Sequence, residues 1–139
     1  MKHILLPVFL LAAYTTIAQK KKPLTHDVYD NWKSVGERLI SNDGQYIVYT
    51  IEAQEGDGEL VVQHKSNGYK KTIPRGYGAV ITEDNRYAVF RIKPAYQDTR
   101  QARIKKKKPD DMPKDTLAII ELGSETVTRI PRVKGLKAP

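Results

Sequence analysis

A chain of 139 residues, 40% of them hydrophobic and none of them cysteine, has room for at most one ordinary domain and excludes both a disulfide framework and a thiolate metal site. Its net charge of +8 suits anionic partners. Much of that excess sits in Lys20–Lys22 and Lys105–Lys108, a pattern of solvated loops, and no DNA- or RNA-binding module accompanies it, so nucleic acid is not an expected partner.

The chain begins as a secretory leader does. Lys2 and His3 form a short basic region, and Ile4 to Ala13 is an apolar one. Thr16 and Ala18 stand at −3 and −1 of a cleavage site that would leave Gln19 first. The rival is a membrane anchor, but the apolar run to Ile17 holds 14 residues with Pro7 inside it. A spanning helix needs about 20. Residues 1–18 are therefore expected to be a signal peptide, with export to the periplasm or beyond and no stable membrane anchor. Loss of Lys2 with the leader lowers the charge from +8 to +7. With no Cys near the cleavage site, a lipid anchor there is excluded.

Residues 19–36 read as a polar link and a short helix. Thr25 can cap a helix over His26 to Lys33, Asp27 suits its first turn, Val28 and Trp32 share a face, and Gly36 stops it. From Glu37 the pattern is that of strands. Leu39-Ile40 leads into the turn Ser41-Asn42-Asp43-Gly44, and Tyr46 to Ile51 is β-branched and aromatic. Glu55 to Gly58 turns, Glu59 to His64 extends, Ser66-Asn67-Gly68 turns, and Tyr69 to Ile73 extends again. Residues 37–76 thus make one four-stranded antiparallel unit. Residues 77–131 make a second, from strands at Gly78 to Thr82, Arg86 to Ile92, Thr116 to Leu122 and Thr126 to Pro131. A long polar insert, 93–115, separates its second and third strands. Residues 132–139 start a third unit.

The two units repeat. Ser41-Asn42-Asp43-Gly44-Gln45-Tyr46-Ile47-Val48-Tyr49-Thr50 aligns with Thr82-Glu83-Asp84-Asn85-Arg86-Tyr87-Ala88-Val89-Phe90-Arg91 at an offset of 41 residues. That period fits stacked blades of a β-propeller. Tyr46, Val48 and Thr50 share one strand face, and Ile47, Tyr49 and Ile51 the other. Both faces carry apolar residues, as stacking requires. An ordinary β-sandwich shows similar runs, and the repeat favours the propeller. The fold class expected is all-β: about two blades of an incomplete propeller.

Few residues could carry chemistry, and no catalytic, metal or cofactor-binding residue is expected. The nearest approach to a nucleophile elbow is Trp32-Lys33-Ser34-Val35-Gly36, which lacks the first Gly and a preceding strand, so Ser34 reads as a loop residue. His26 and His64 lack metal-ligand spacing. Asp110, Asp111 and Asp115 cluster without the spacing of a calcium loop. Asp43 and Asp84, at matching places in the repeat, read as turn acceptors. Gly56-Asp57-Gly58 lacks the context of a phosphate loop, and Trp32 is expected to pack the short helix against the first unit.

Ser41-x-Asp43-Gly44-x-Tyr46 and Thr82-x-Asp84-x-x-Tyr87 resemble the propeller repeats of prolyl-oligopeptidase-type serine peptidases. The mature chain is similar to the N-terminus of large exported members found in Bacteroidetes-type bacteria. The matching stretches are Tyr29-Asp30-Asn31-Trp32, Ile40 to Gly44, Glu55 to Leu60, Pro74-Arg75-Gly76, the insert ending Pro113-Lys114-Asp115, and Arg132-Val133-Lys134. The resemblance implies a propeller packed on a C-terminal α/β-hydrolase domain with a Ser-Asp-His triad, the propeller limiting access to short peptides. The sequence stops at Pro139, before any such domain, so no catalytic residue carries over. The expected function is that of an N-terminal propeller fragment that gates peptides to a catalytic domain outside this chain. The alternative is a non-enzymatic propeller that binds ligands at the cell envelope. A complete small secreted protein is disfavoured, because repeat arrays need about three or more units to cover their faces.

Overall fold

The computed structural model describes residues 32–133. Four strands, β1 (Lys33–Ile40), β2 (Tyr46–Ala53), β3 (Glu59–His64) and β4 (Lys70–Pro74), form an antiparallel sheet in the order β1-β2-β3-β4. Four more, β5 (Gly76–Ile81), β6 (Tyr87–Ile92), β7 (Thr116–Glu121) and β8 (Val127–Ile130), form a second sheet in the order β5-β6-β7-β8. Between β6 and β7 lie one helix, α1 (Tyr96–Ile104), and a 3-10 turn, Pro109–Asp111. The described residues are therefore mostly β, as the alternation and turn signals imply.

Two local expectations need correction. The expected helix over His26 to Lys33 does not reach its end: Lys33 to Gly36 belong to β1, with Lys33 opposite Ala53 and Val35 opposite Ile51. Gly36 is no helix stop. It lies where the β1–β2 register shifts, between Val35 and Arg38, and a methyl carbon there would sit 2.6 Å from Thr50 Oγ1. Glycine in a strand interior commonly marks such a bulge or close approach. The second correction is the insert, expected as a polar loop, which contains α1. The leader, the link, most of the expected helix and the residues after Val133 lie outside the described ones.

The turns repeat as the sequence does. Ser41 N–H donates to Tyr46 O at 3.0 Å, and Thr82 N–H to Tyr87 O at 2.9 Å. Tyr46 N–H donates to Ser41 Oγ at 2.9 Å, and Tyr87 N–H to Thr82 Oγ1 at 3.0 Å. Each hydroxyl donates in turn to the Asp two residues on, and that Asp accepts the amide two residues further, Gln45 at 3.0 Å and Arg86 at 3.1 Å. Gly44 and Asn85 hold the left-handed position, with φ of 67° and 56°. Gly and Asn tolerate that region best, which explains the Gly/Asn exchange between the repeats.

The core lies between the sheets. Val48, Leu60, Val62 and Ile73 of the first sheet meet Ala88, Phe90, Ile92, Ala118 and Ile120 of the second. Removing a large aliphatic or aromatic side chain from water contributes about 1.5–3 kcal/mol, so this slab is the main adhesive.

The sheets stack by unlike faces. Under the 41-residue repeat, Val48 and Thr50 match Val89 and Arg91, while Tyr49 and Ile51 match Phe90 and Ile92. Val48 and Thr50 are buried between the sheets, and so are Phe90 and Ile92. The counterparts of each pair lie on the outer faces. Val35, Ile40 and Ile47 are exposed on the outside of the first sheet, and Val80 and Ile130 on the outside of the second. Such a contact is heterologous, and its geometry can continue at both ends.

Polar contacts stitch the stack along its rims. Tyr69 Oη donates to Ser124 O at 2.6 Å, and the Lys71 ammonium pairs with Glu125. Asn42 N–H donates to Asn85 Oδ1 at 2.8 Å, joining the two repeated turns. Gly78 N–H donates to Glu37 Oε2 at 2.8 Å.

Candidate functional site

The stack has two ends. One carries the tight turns after β1, β3, β5 and β7. The other carries the β2–β3 turn, the link between the sheets and the insert with α1.

The turn end is structural. Hydrogen bonds from Ser41 and then from the Gln45 amide hold the Asp43 carboxyl below its ordinary 3.8, and those from Thr82 and the Arg86 amide do the same for Asp84. Both carboxylates are spent on their own turns, as their recurrence implies. His64 also serves a turn: its Nδ1 accepts the amides of Ser66 at 3.0 Å and Asn67 at 3.2 Å, and its ring meets Tyr46 edge-on at 4.9 Å. Ser34 lies in β1 opposite Glu52 and is exposed. Trp32 precedes β1 and is 53% exposed. His26 lies outside the described residues.

The insert end holds a cleft of about 500 Å³. Its floor is the crossing from β4 to β5. Arg75, at φ 63°, donates its N–H to Gly58 O at 2.7 Å and accepts Lys93 N–H at 2.9 Å. One residue is thereby bonded to loops of both sheets. The roof is α1, which presents Tyr96, Thr99, Arg100 and Arg103 at i, i+3, i+4 and i+7, one helical face. The helix is placed by the first sheet: Asp57, in the Gly56-Asp57-Gly58 turn, accepts Tyr96 N–H at 2.9 Å. A carboxylate at a helix start satisfies an orphan amide and favours the dipole.

The cleft is basic. Arg75, Lys93, Arg100 and Arg103 line it against Asp57 and Asp115. Both acids are already engaged, Asp57 by the α1 amide and Asp115 by Tyr77 Oη, which donates to it. Tyr77 in turn lies under Arg91 at 4.6 Å and Lys93 at 4.8 Å, within cation–π range. Among the described residues, the guanidinium groups of Arg75, Arg100 and Arg103 have no ion pair. The arrangement suits binding of an anion. Sequence reading missed this cleft because its parts come from residues 56–58, 75, 93–103 and 115 and converge only in the fold. A larger hollow of about 870 Å³ opens along the rest of the insert, lined by Lys107 and Lys114 together with Asp110 and Asp111.

Burial raises the Tyr69 phenol to about 12, aided by the charge of Glu125; burial and then the bond to Asp115 raise Tyr77 to about 12. A raised value in the folded state means that the protonated phenol stabilises the fold. That stability is full below pH 10 and is lost as pH rises through about 12. Urea midpoints measured across this window are expected to fall. Tyr69→Phe and Tyr77→Phe should each flatten the decline, and an unchanged slope in the double variant would exclude these phenols as its source.

No protein-family model, curated protein or solved structure matches the chain. Among the described residues, no helix is long and apolar enough to cross a membrane.

Proposed function

We propose that the two sheets are consecutive blades near the N-terminus of a β-propeller, belonging to an exported serine peptidase of the prolyl-oligopeptidase type, in which the propeller gates peptides to a separate catalytic domain. The observation that carries the propeller reading is the stacking of unlike faces. A heterologous contact repeated with a rotation that closes makes a ring, and a propeller is a β architecture built this way. The outer faces fit this reading: Val35, Ile40 and Ile47 on one side, and Val80 and Ile130 on the other, are apolar surface of the kind a further sheet would cover. The basic and apolar leader supports export, and the ordered motifs from Tyr29 to Lys134 support the peptidase family.

The test is the native protein in its cell of origin, probed with an antibody raised against residues 19–139. The expected result is a product much larger than 15.8 kDa, found in the exported fraction and labelled by a fluorophosphonate that reacts with activated serines. A large exported product without label would overturn the peptidase reading in favour of a ligand-binding propeller. A product at or just below 15.8 kDa would overturn both.

A further inference from the structure

We propose that the cleft under α1 is a binding site for clustered oxyanions, the chemistry presented by an acidic peptide segment or by linked phosphates. Three observations carry it. First, cationic side chains from three separate parts of the chain converge on one concavity: Arg75 from the inter-sheet crossing, Lys93 from the end of β6, and Arg100 with Arg103 from α1. Charges brought together this way repel one another, which costs folding energy unless an anion offsets it. Second, these four cations outnumber the two acids of the lining, Asp57 and Asp115, and among the described residues neither acid forms an ion pair with them. Third, the cleft is braced. Arg75 is bonded through its backbone to Gly58 and Lys93, and α1 is bonded at its start to Asp57, so roof and floor are fixed relative to one another.

The ligand class follows from the side chains. Guanidinium groups form paired hydrogen bonds to the two oxygens of a carboxylate or phosphate. Arg100 and Arg103 lie about one helical turn apart, roughly 5 Å along the axis, and Arg75 faces them from the floor. A single oxyanion cannot satisfy all three, so a ligand with two or more is preferred. At about 500 Å³ the cleft is within the size range of small-ligand sites. Tyr96 and Pro113 add apolar wall for the body of such a ligand. This inference does not rest on the peptidase reading.

The test titrates the full chain, by calorimetry at low ionic strength, with triglutamate and with tripolyphosphate, and with trilysine as the opposite-charge control. The parent is compared with R100Q/R103Q and with K105Q/K108Q. The second pair removes the same charge from the neighbouring lysine run, outside the cleft. Circular dichroism establishes that each variant keeps its β signal. Binding of at least one polyanion and none of trilysine is expected, with affinity falling about tenfold or more in R100Q/R103Q and little in K105Q/K108Q. Preference for triglutamate identifies a carboxylate ligand, and preference for tripolyphosphate a phosphate one; either supports the site. Equal losses in both double variants would reduce the effect to diffuse charge and overturn the proposal, as would binding of neither polyanion by the folded parent.

Discussion

Replacing Phe90 by Ala is expected to remove about 3–5 kcal/mol of stability, the usual cost of emptying a fully buried aromatic position. Phe90 is wholly buried in β6, opposite Ala118 of β7, and projects into the slab between the sheets. The small Ala118 opposite it offers no bulk to fill the void. A small domain has about 5–15 kcal/mol in total, so this variant approaches unfolding at room temperature. The counterpart of Phe90 in the repeat, Tyr49, supplies the control. It is half-buried on the outer face of the first sheet, and Tyr49→Ala should cost only about 1 kcal/mol. Urea unfolding followed by circular dichroism reads both. Equal losses would mean that the sheets do not meet through the Phe90 face.

That contrast also shows how far the sequence could be read. The repeated Ser/Thr-x-Asp turn and the strands after it were legible because local chemistry decides them. Ser41 and Thr82 each close a turn whose Asp and left-handed residue are needed by the backbone itself. Alternation alone did not say which face of each strand would be buried between the sheets. Tyr46-Val48-Thr50 and Ile47-Tyr49-Ile51 are similarly apolar, and only packing selects one. Gly36 misled for a related reason. Glycine ends helices and also interrupts strands, and its meaning depends on the close approach of Thr50 from the neighbouring strand.

The cleft was less legible, for reasons of distance and of pattern. Its floor, roof and helix anchor are supplied by Arg75, by α1 and by Asp57, which no local motif connects. One part did leave a signal. Between Pro94 and Pro109 there is no further Pro and no Gly, and Gln97, Arg100, Gln101, Ala102 and Arg103 all favour helix. Ala102 is buried, so the helix is seated rather than free. The lysines at 105–108 read as a solvated run, yet the cations of this segment that line the cleft are Arg100 and Arg103, just before them.

A close approach of the two sheets at Gly76 sets the second large effect. Gly76→Ala is expected to destabilise by about 1–3 kcal/mol through overpacking alone. Gly76 opens β5 immediately after the Pro74-Arg75 crossing and is buried. A methyl carbon placed there would sit 2.6 Å from Leu60 Cβ, well inside contact distance. Leu60 is itself buried in the middle of the first sheet, paired with Thr50 and Ile73, and cannot retreat. Nor can the crossing shift easily, because Arg75 is bonded to Gly58 on one side and Lys93 on the other. The strain is between two β-carbons, so shortening Leu60 to Ala leaves it in place. The double variant L60A/G76A should therefore be no more stable than L60A alone, whereas recovery of stability would place the conflict at the end of the leucine side chain instead. Because Arg75 forms the floor of the cleft, G76A should also weaken polyanion binding even when the chain remains folded. Retained affinity in a destabilised G76A would separate the packing of the sheets from the geometry of the site.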